Sequence, residues 1–451
     1  MSQSALIVAK FGGTSVADFD AMNRSADIVL SRSDVKLVVL SASAGVTNLL
    51  VTLSEGQPVT VRQQLLEKLA RIQYAIVDKL RAAVVIREEV SRILENIALL
   101  ADKAALTPSA CLADELVSHG ELLSTLLFSE IIRERGVPVQ WFDVRRVMKT
   151  SNRFGHAEPD IAALAELSDS VLTPLITESL VITQGFIGCE AGGLTTTLGR
   201  GGSDYTAALL GEALKAQRID IWTDVQGIYT TDPRIVPTAK RIDEITFEEA
   251  AEMATFGARV LHPATLLPAV RNDIPVFVGS SQAPEGGGTI VYNQTRQQPL
   301  FRAVTLRRNQ TLLTLHSLNM LHARGFLAEV FAILARHDIS VDLVTTSEVS
   351  VALTLDTTGS TSHHGSLLTT GLLTELSSLC RVEVEENLSL VALIGNQLTQ
   401  SQGIGKEVFG VMEQFSLRMI CYGASNYNLC FLVPGNDAEH AVRTLHQHIF
   451  E

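Results

Sequence analysis

Apolar and polar positions along this chain follow two periods, and the switches between them outline its elements. Residues 5–11 (ALIVAKF) run almost wholly apolar, as a strand buried on both faces does. Residues 18–30 carry helical spacing, with Asp18 placed to cap the first turn. A second strand is predicted at residues 36–40 (KLVVL), and long helical patterns fill residues 61–106 and 113–134. Apolar runs at 137–142, 180–186, 219–223 and 275–279 read as further strands with helical segments between them. Strands alternating with helices predict an α/β domain whose largely parallel sheet is covered on both faces. Residues 278–298, rich in Gly, Ser, Pro and Gln, read as the domain boundary.

Beyond that boundary the pattern repeats. Gly325 matches Gly403, Glu329-Val330-Phe331 matches Glu407-Val408-Phe409, and Ser347 matches Ser425, with a spacing of 78 residues each time. Each copy reads strand, Gly turn, helix, strand, strand, helix: a small α+β unit that needs one more strand. The first copy has one in RVEVE, residues 381–385. The second ends on its helix, so its missing strand is expected from FRAVTLR, residues 301–307, which would insert the first copy into the second.

Composition narrows the partners. A net charge of −13 disfavours nucleic acid, and a 46% apolar content supplies sizeable cores. The five scattered cysteines form no metal or CxxC spacing, which points to reduced thiols in a cytoplasm. The N-terminal stretch lacks a basic leader and a full apolar core, and no apolar run reaches the ~18 residues of a membrane helix.

The candidate chemistry lies in loops after strands. KFGGTSV, residues 10–16, puts a lysine before a glycine pair and hydroxyls after it. It fits neither a Walker loop nor a dinucleotide fingerprint, yet glycines at a strand end let backbone N–H groups approach phosphate oxygens. SASAGVT follows the second strand, and TTTLGRGGSD, residues 195–204, runs into a helix whose first turn can bind an anion. WTDVQGIYTTDPR, residues 222–234, adds aromatic and basic residues after another strand. Any one of these could be an ordinary tight turn; three lie directly at strand ends of one sheet. There is no Ser/His/Asp arrangement, and His119 and His262 read as structural.

Taken in order, KFGGTSV, SASAGVTN, DELVSHGELLST, TTTLGRGGSDYTA, DVQGIYTTDPR and FGARVLHP resemble an aspartate kinase of the amino-acid kinase superfamily, over essentially the whole chain. The tandem repeat resembles the paired ACT domains of that family, the length resembles its monofunctional members, and within the family the sequence resembles the lysine-sensitive type. The resemblance implies a three-layer α/β/α kinase domain over residues 1–293, then two ferredoxin-like ACT domains. The first ACT domain would span 309–386, and the second 299–308 plus 387–451. It implies transfer of the γ-phosphoryl of ATP, with Mg²⁺, to the side-chain carboxylate of L-aspartate. That carboxylate is ionised at neutral pH, with a free pKa of about 3.9, so no general base is required. Magnesium would be carried mainly by the phosphates, with no protein metal site.

By the same resemblance Lys10 and Asp204 are the catalytic pair, Lys10 bridging the phosphates and Asp204 ordering it. Phe11, Gly12, Gly13, Ser15, Thr223, Asp224, Tyr229, Arg234, Arg259 and Val260 would hold ATP. Ser41, Thr47, Glu121, Arg200, Gly201, Gly202 and Ser203 would hold aspartate, Glu121 taking its ammonium and Arg200 its α-carboxylate. Arg259 stands where the family commonly has lysine, and Ala323 where a serine is expected.

Feedback by lysine is expected in the first repeat, at Met320, Ala323, Phe326, Leu327, Ser340, Val341, Asp342, Thr346, Ser347 and Glu348. Asp342 can pair with an ammonium, whereas its counterpart Ile420 in the second repeat cannot. A homodimer through the repeats is expected, because their edge strands need covering. Two other readings stay open on sequence: another amino-acid kinase acting on glutamate, acetylglutamate or a nucleotide, and a non-catalytic amino-acid sensor of the same fold.

Overall fold

A computed structural model describes residues 6–199, 201–258, 261, 263–320, 324–356 and 367–451. The chain divides into two compact units. The first holds the residues up to Ile228, then Arg241–Ala251 and 261–295; the second holds Tyr229–Lys240, Glu252–Ala258 and Arg296–Glu451.

In the first unit, β1 (Ile7–Phe11) lies between β2 (Val35–Leu40) and β7 (Arg218–Thr223), parallel to both. Parallel strands β4 (Leu180–Gln184) and β3 (Val139–Phe142) continue the sheet beyond β2. On the other side β7 pairs in parallel with β9 (Val276–Ser280). A short hairpin of β5 (Ile187–Cys189) and β6 (Thr195–Thr197) stands apart. The far edge differs from the sequence reading. Within the stretch taken as a linker, β10 (Gly288–Tyr292) pairs antiparallel with β9 and parallel with β8 (Glu244–Thr246).

Both faces of this sheet are covered, which is why its strands read as continuous apolar runs. Phe11, Val38, Leu40 and Trp222 pack in one core with the helices Phe19–Leu30, Val46–Ser54, Val59–Val77, Ala83–Leu106 and Ala110–Glu134. The opposite face carries Ile219, against which Gly211 of the helix Gly202–Ala213 lies. Local chemistry sets the helix starts: the Asp18 carboxylate accepts the Ala21 N–H at 2.8 Å, and the Ser109 hydroxyl accepts that of Leu112 at 3.2 Å.

The second unit is built on two long antiparallel strands, β11 (Phe301–His316) and β14 (Arg381–Gly395). The segment 301–307, expected to complete the second repeat, pairs with Leu390–Gly395, and Leu312–His316 pairs with Arg381–Glu385. β12 (Ser340–Thr346) and β13 (Ser350–Asp356) extend the sheet from β11; β16 (Asn428–Pro434) and β15 (Met419–Tyr422) extend it from β14. Two cores lie beneath, one under each repeat. The outermost strands, β12 and β15, approach each other, so they are less bare than the sequence implied. All five cysteines are free thiols, and no described helix is long and apolar enough to cross a membrane.

Gly120 shows how tightly the helix Ala110–Glu134 meets the β2 loop: a Cβ there would lie 2.7 Å from the Ala42 Cβ. In an exposed helix, Gly→Ala gains about 1 kcal/mol, but overpacking costs about 1–3 kcal/mol. Gly120→Ala is therefore expected to lower the thermal midpoint; a raised midpoint would show that this contact relaxes freely.

Candidate active site

The carboxyl ends of the parallel strands gather the candidate residues, which is where open α/β sheets bind ligands. β1 delivers Lys10 and the glycine pair. The Gly12 N–H donates to the Trp222 carbonyl at 3.0 Å, and the Ala44 N–H to the Gly13 carbonyl at 3.0 Å, so the loop is stitched to the ends of both β7 and β2. A side chain at Gly13 would put its Cβ 2.9 Å from the Ala42 carbonyl oxygen; only glycine allows that approach. Phe11 stacks on Trp222 with ring centroids 6.2 Å apart, which fixes the floor beneath. The Ser15 hydroxyl lies 2.6 Å from that of Ser281, whose N–H donates to the Thr223 carbonyl. Ser281 was passed over as linker composition; it joins the ends of β1, β7 and β9.

Lys10 is nearly buried and its ammonium lies 2.5 Å from Asp204. Asp204 stands in the first turn of the helix Gly202–Ala213, whose N-cap Gly201 has φ 71°, a left-handed conformation that favours glycine. Ser203 packs so closely on Gly185, just after β4, that a Cβ at Gly185 would meet it at 2.6 Å. Thus the glycine loop and its helix start sit over the same strand ends as KFGGTSV. Arg200, within that loop, lies outside the described residues, as do Arg259 and Val260.

Glu121 comes from the buried side of the helix Ala110–Glu134 and is 3% exposed. One carboxylate oxygen accepts the Ala42 N–H at 3.1 Å; the other is buried without a hydrogen bond among the described residues. Burial pushes its pKa up to about 8, opposed by the Ala42 N–H and by the nearby Lys10 ammonium. A carboxylate so placed is a receptor for a cation. Ser43, two residues after the candidate Ser41, likewise buries a hydroxyl with no partner among the described residues. Ser41 is half-buried at the end of β2, and Thr47 half-buried in the first turn of the helix Val46–Ser54.

Sequence reasoning missed Asp114, two helical turns before Glu121. Its carboxylate accepts the Thr197 N–H at 2.8 Å, the Thr197 hydroxyl at 2.9 Å and the Gly155 N–H at 2.9 Å. It thereby anchors β6, which leads into the glycine loop. The seven-residue spacing of Asp114 and Glu121 in DELVSHGE was the available signal.

The nucleotide candidates divide. Thr223 ends β7, and its hydroxyl donates to the exposed Asp224 at 3.2 Å. Tyr229 and Arg234 belong to the loop Tyr229–Lys240, which packs within the second unit; Arg234 pairs with Asp232 at 2.7 Å. Among the described residues, no three His, Cys, Asp or Glu side chains come together as a metal cage.

In the first repeat, Met320 closes a short turn, and the helix Phe326–Arg336 begins after Gly325 with Phe326 half-buried and Leu327 exposed. Ser340, Val341 and Asp342 lie half-buried on β12, and Thr346, Ser347 and Glu348 are exposed where it ends. Ala323 lies outside the described residues. The Asp342 carboxylate already meets a cation, the Arg307 guanidinium at 2.7 Å, both side chains being largely buried.

A profile of the amino acid kinase family matches residues 5–280, and an ACT-domain profile matches residues 391–449. Lysine-sensitive aspartokinase 3 of Escherichia coli is 72% identical over 99% of this chain and 100% of its own length. The chloroplastic aspartokinase 3 of Arabidopsis thaliana is 36% identical over 98% of this chain and 81% of its own. The crystal structure of E. coli aspartokinase III with aspartate and ADP, called its R-state, superposes with a TM-score of 0.91 at 72% identity, covering 99% of this chain and 100% of that one. The T-state form of that enzyme, with lysine and aspartate, gives 0.86 at the same identity and coverage. With its buried lysine–aspartate pair, its glycine loops at the strand ends and its terminal ACT region, this chain belongs to the aspartokinases of the amino acid kinase family.

Proposed function

We propose that this protein is a lysine-inhibited aspartate kinase that transfers the γ-phosphoryl of ATP to the side-chain carboxylate of L-aspartate, giving 4-phospho-L-aspartate. The observation that carries this reading is the juxtaposition of Lys10, Asp204 and the buried Glu121 at one set of strand ends. Glu121 takes the α-ammonium of aspartate on its unpartnered oxygen, and Arg200 takes the α-carboxylate. Ser41, Thr47 and Ser203, with Gly201 and Gly202, line the rest of that pocket. This turns the side-chain carboxylate towards the phosphates, where it is already an anionic nucleophile. Lys10 then follows the negative charge as it redistributes over the transferring phosphoryl, and Asp204 holds its ammonium in place.

Gly12, Gly13 and Ser15 line the pocket for the phosphates. Thr223, Asp224, Tyr229, Arg234, Arg259 and Val260 bind the nucleotide in the same reading. Mg²⁺ supplies charge neutralisation on the phosphates when bound. It would be carried mainly by them and by water. The other amino-acid kinases lose ground because a terminal ACT region accompanies this kinase domain.

Residues 1–293 form the catalytic domain in this reading. Residues 309–386 form a first ACT domain inserted into a second, made of 299–308 and 387–451. Lysine binds the first, its ammonium replacing Arg307 on Asp342 and its carboxylate meeting the N–H groups at the start of the helix Phe326–Arg336. Exposed Leu318, Leu327 and Phe331 in that repeat support a homodimer formed there, which light scattering on the full chain would detect.

Three experiments test these assignments. Trapping the acyl phosphate with hydroxylamine, Lys10→Ala should cut turnover by about 10²–10³ with little change in the aspartate KM, since the ammonium acts where charge develops. Near-normal turnover would remove Lys10 from the chemistry. Because free Glu121 is ionised only above about pH 8, kcat/KM for aspartate should fall as pH drops below that value, and Glu121→Gln should flatten the profile. The same raised pKa makes the substrate-free protein lose stability as pH rises from the ordinary carboxylate range towards 8. In the third, lysine should inhibit the wild type with a coupling of about 1–3 kcal/mol, and Asp342→Ala should escape it. Unchanged lysine inhibition in that variant would place the effector elsewhere.

A further inference from the structure

The loop Tyr229–Lys240 leaves the first unit after Ile228 and returns to it at Arg241, yet its own packing is with the C-terminal helix Ala438–Phe450. Ile235 and Val236 are buried in one core with Ala441, Val442 and Leu445. The Arg443 guanidinium donates to the Ile235 carbonyl at 3.0 Å, and the Lys240 ammonium to the Phe450 carbonyl at 3.1 Å. The centre of this contact is His446, whose side chain is fully buried. Its Nε2 lies 2.9 Å from the hydroxyl of Thr230.

Thr230 is the residue that closes the loop. Its N–H donates to the Lys240 carbonyl at 2.9 Å, its hydroxyl accepts the Lys240 N–H at 3.0 Å, and its carbonyl accepts the Val304 N–H at 2.7 Å. Thr230 is thus hydrogen-bonded at its N–H, carbonyl and hydroxyl, and it directly follows Tyr229. The His446 ring is itself held, 5.0 Å from that of Phe450 and with Nδ1 3.4 Å from the Glu451 carboxylate. A buried imidazole hydrogen-bonded to the residue that closes the loop is more than the closing of a surface loop requires.

We infer that His446 is a positioning residue for nucleotide binding: through Thr230 the last helix of the chain sets the place of Tyr229 and the loop that carries Arg234. The inference rests on the reading of Tyr229 and Arg234 as nucleotide contacts. It predicts a defect confined to ATP. In the proposed reading no residue of this loop is assigned to aspartate or to the transferring phosphoryl, so aspartate KM and turnover at saturating ATP should stay put.

Full-length His446→Phe keeps the ring volume and removes the hydrogen bond. Its KM for ATP should rise about fivefold, the worth of one buried hydrogen bond, while aspartate KM and kcat change by less than about twofold. His446→Gln can still reach the Thr230 hydroxyl and should restore most of the ATP affinity. Thr230→Val also loses the bond from the Lys240 N–H, so it should raise the ATP KM at least as far as His446→Phe does, and combining the two should add nothing further. An unchanged ATP KM in both single variants overturns the inference. So does a parallel loss of turnover and of both affinities, which is the mark of general unfolding. Tyr229→Ala and Arg234→Ala separate the two levels. If neither raises the ATP KM, the nucleotide reading of the loop fails, and the inference with it. If they raise it and His446→Phe does not, only the inference fails.

Discussion

The ion pair between Lys10 and Asp204 is the contact around which the catalytic unit is arranged. Removing two charges from water costs several kcal/mol per ion, and their attraction returns that only when the geometry is good. Hydrophobic residues of similar volume would stabilise the fold as well or better. The pair makes sense as a device for aiming an ammonium. A lysine at the end of a central strand would otherwise sample many rotamers. Asp204, fixed at the start of a helix that packs against the end of β4, holds it in one. The close glycine contacts follow from the same need: Gly13 against Ala42, Gly185 against Ser203 and Gly120 against the β2 loop bring three backbones within reach of that ammonium.

Glu121 extends the logic to the substrate. A carboxylate that is 3% exposed and has one bare oxygen is a costly thing to bury. Its cost is relieved when a cation arrives, which is why the proposed reading gives it the ammonium of the substrate. Asp342 in the first repeat states the opposite case, since Arg307 already satisfies it. A ligand there must displace an internal cation. In the proposed reading, occupancy of that site is an exchange with Arg307.

Much of this was legible in the sequence, for identifiable reasons. The Asp18 cap, the apolar parallel strands and the 78-residue repeat are local or periodic signals. The glycine loops announced themselves by composition. The strand Gly288–Tyr292 did not, because it follows the Gly, Pro and Ser residues of a turn and reads with them as linker. Arg307 could not be placed on Asp342 from sequence, since that contact depends on how two distant strands of one sheet curve. Likewise the apolar pair Ile235–Val236 was the only hint that the loop after Tyr229 belongs with the C-terminal helix. Asp114 was hidden for a different reason: a carboxylate spent on backbone N–H groups looks, in sequence, like any helix-surface acid.

The central claim is that the side-chain carboxylate of aspartate attacks the γ-phosphorus of ATP while Lys10 stabilises the transfer. Aspartate with heavy oxygen in that carboxylate, followed by phosphorus NMR, tests it most directly. The account predicts an acyl phosphate resonance that appears in step with ADP and carries the isotope shift of a labelled bridging oxygen. ADP formation that yields only inorganic phosphate, or that does not depend on aspartate, would contradict it.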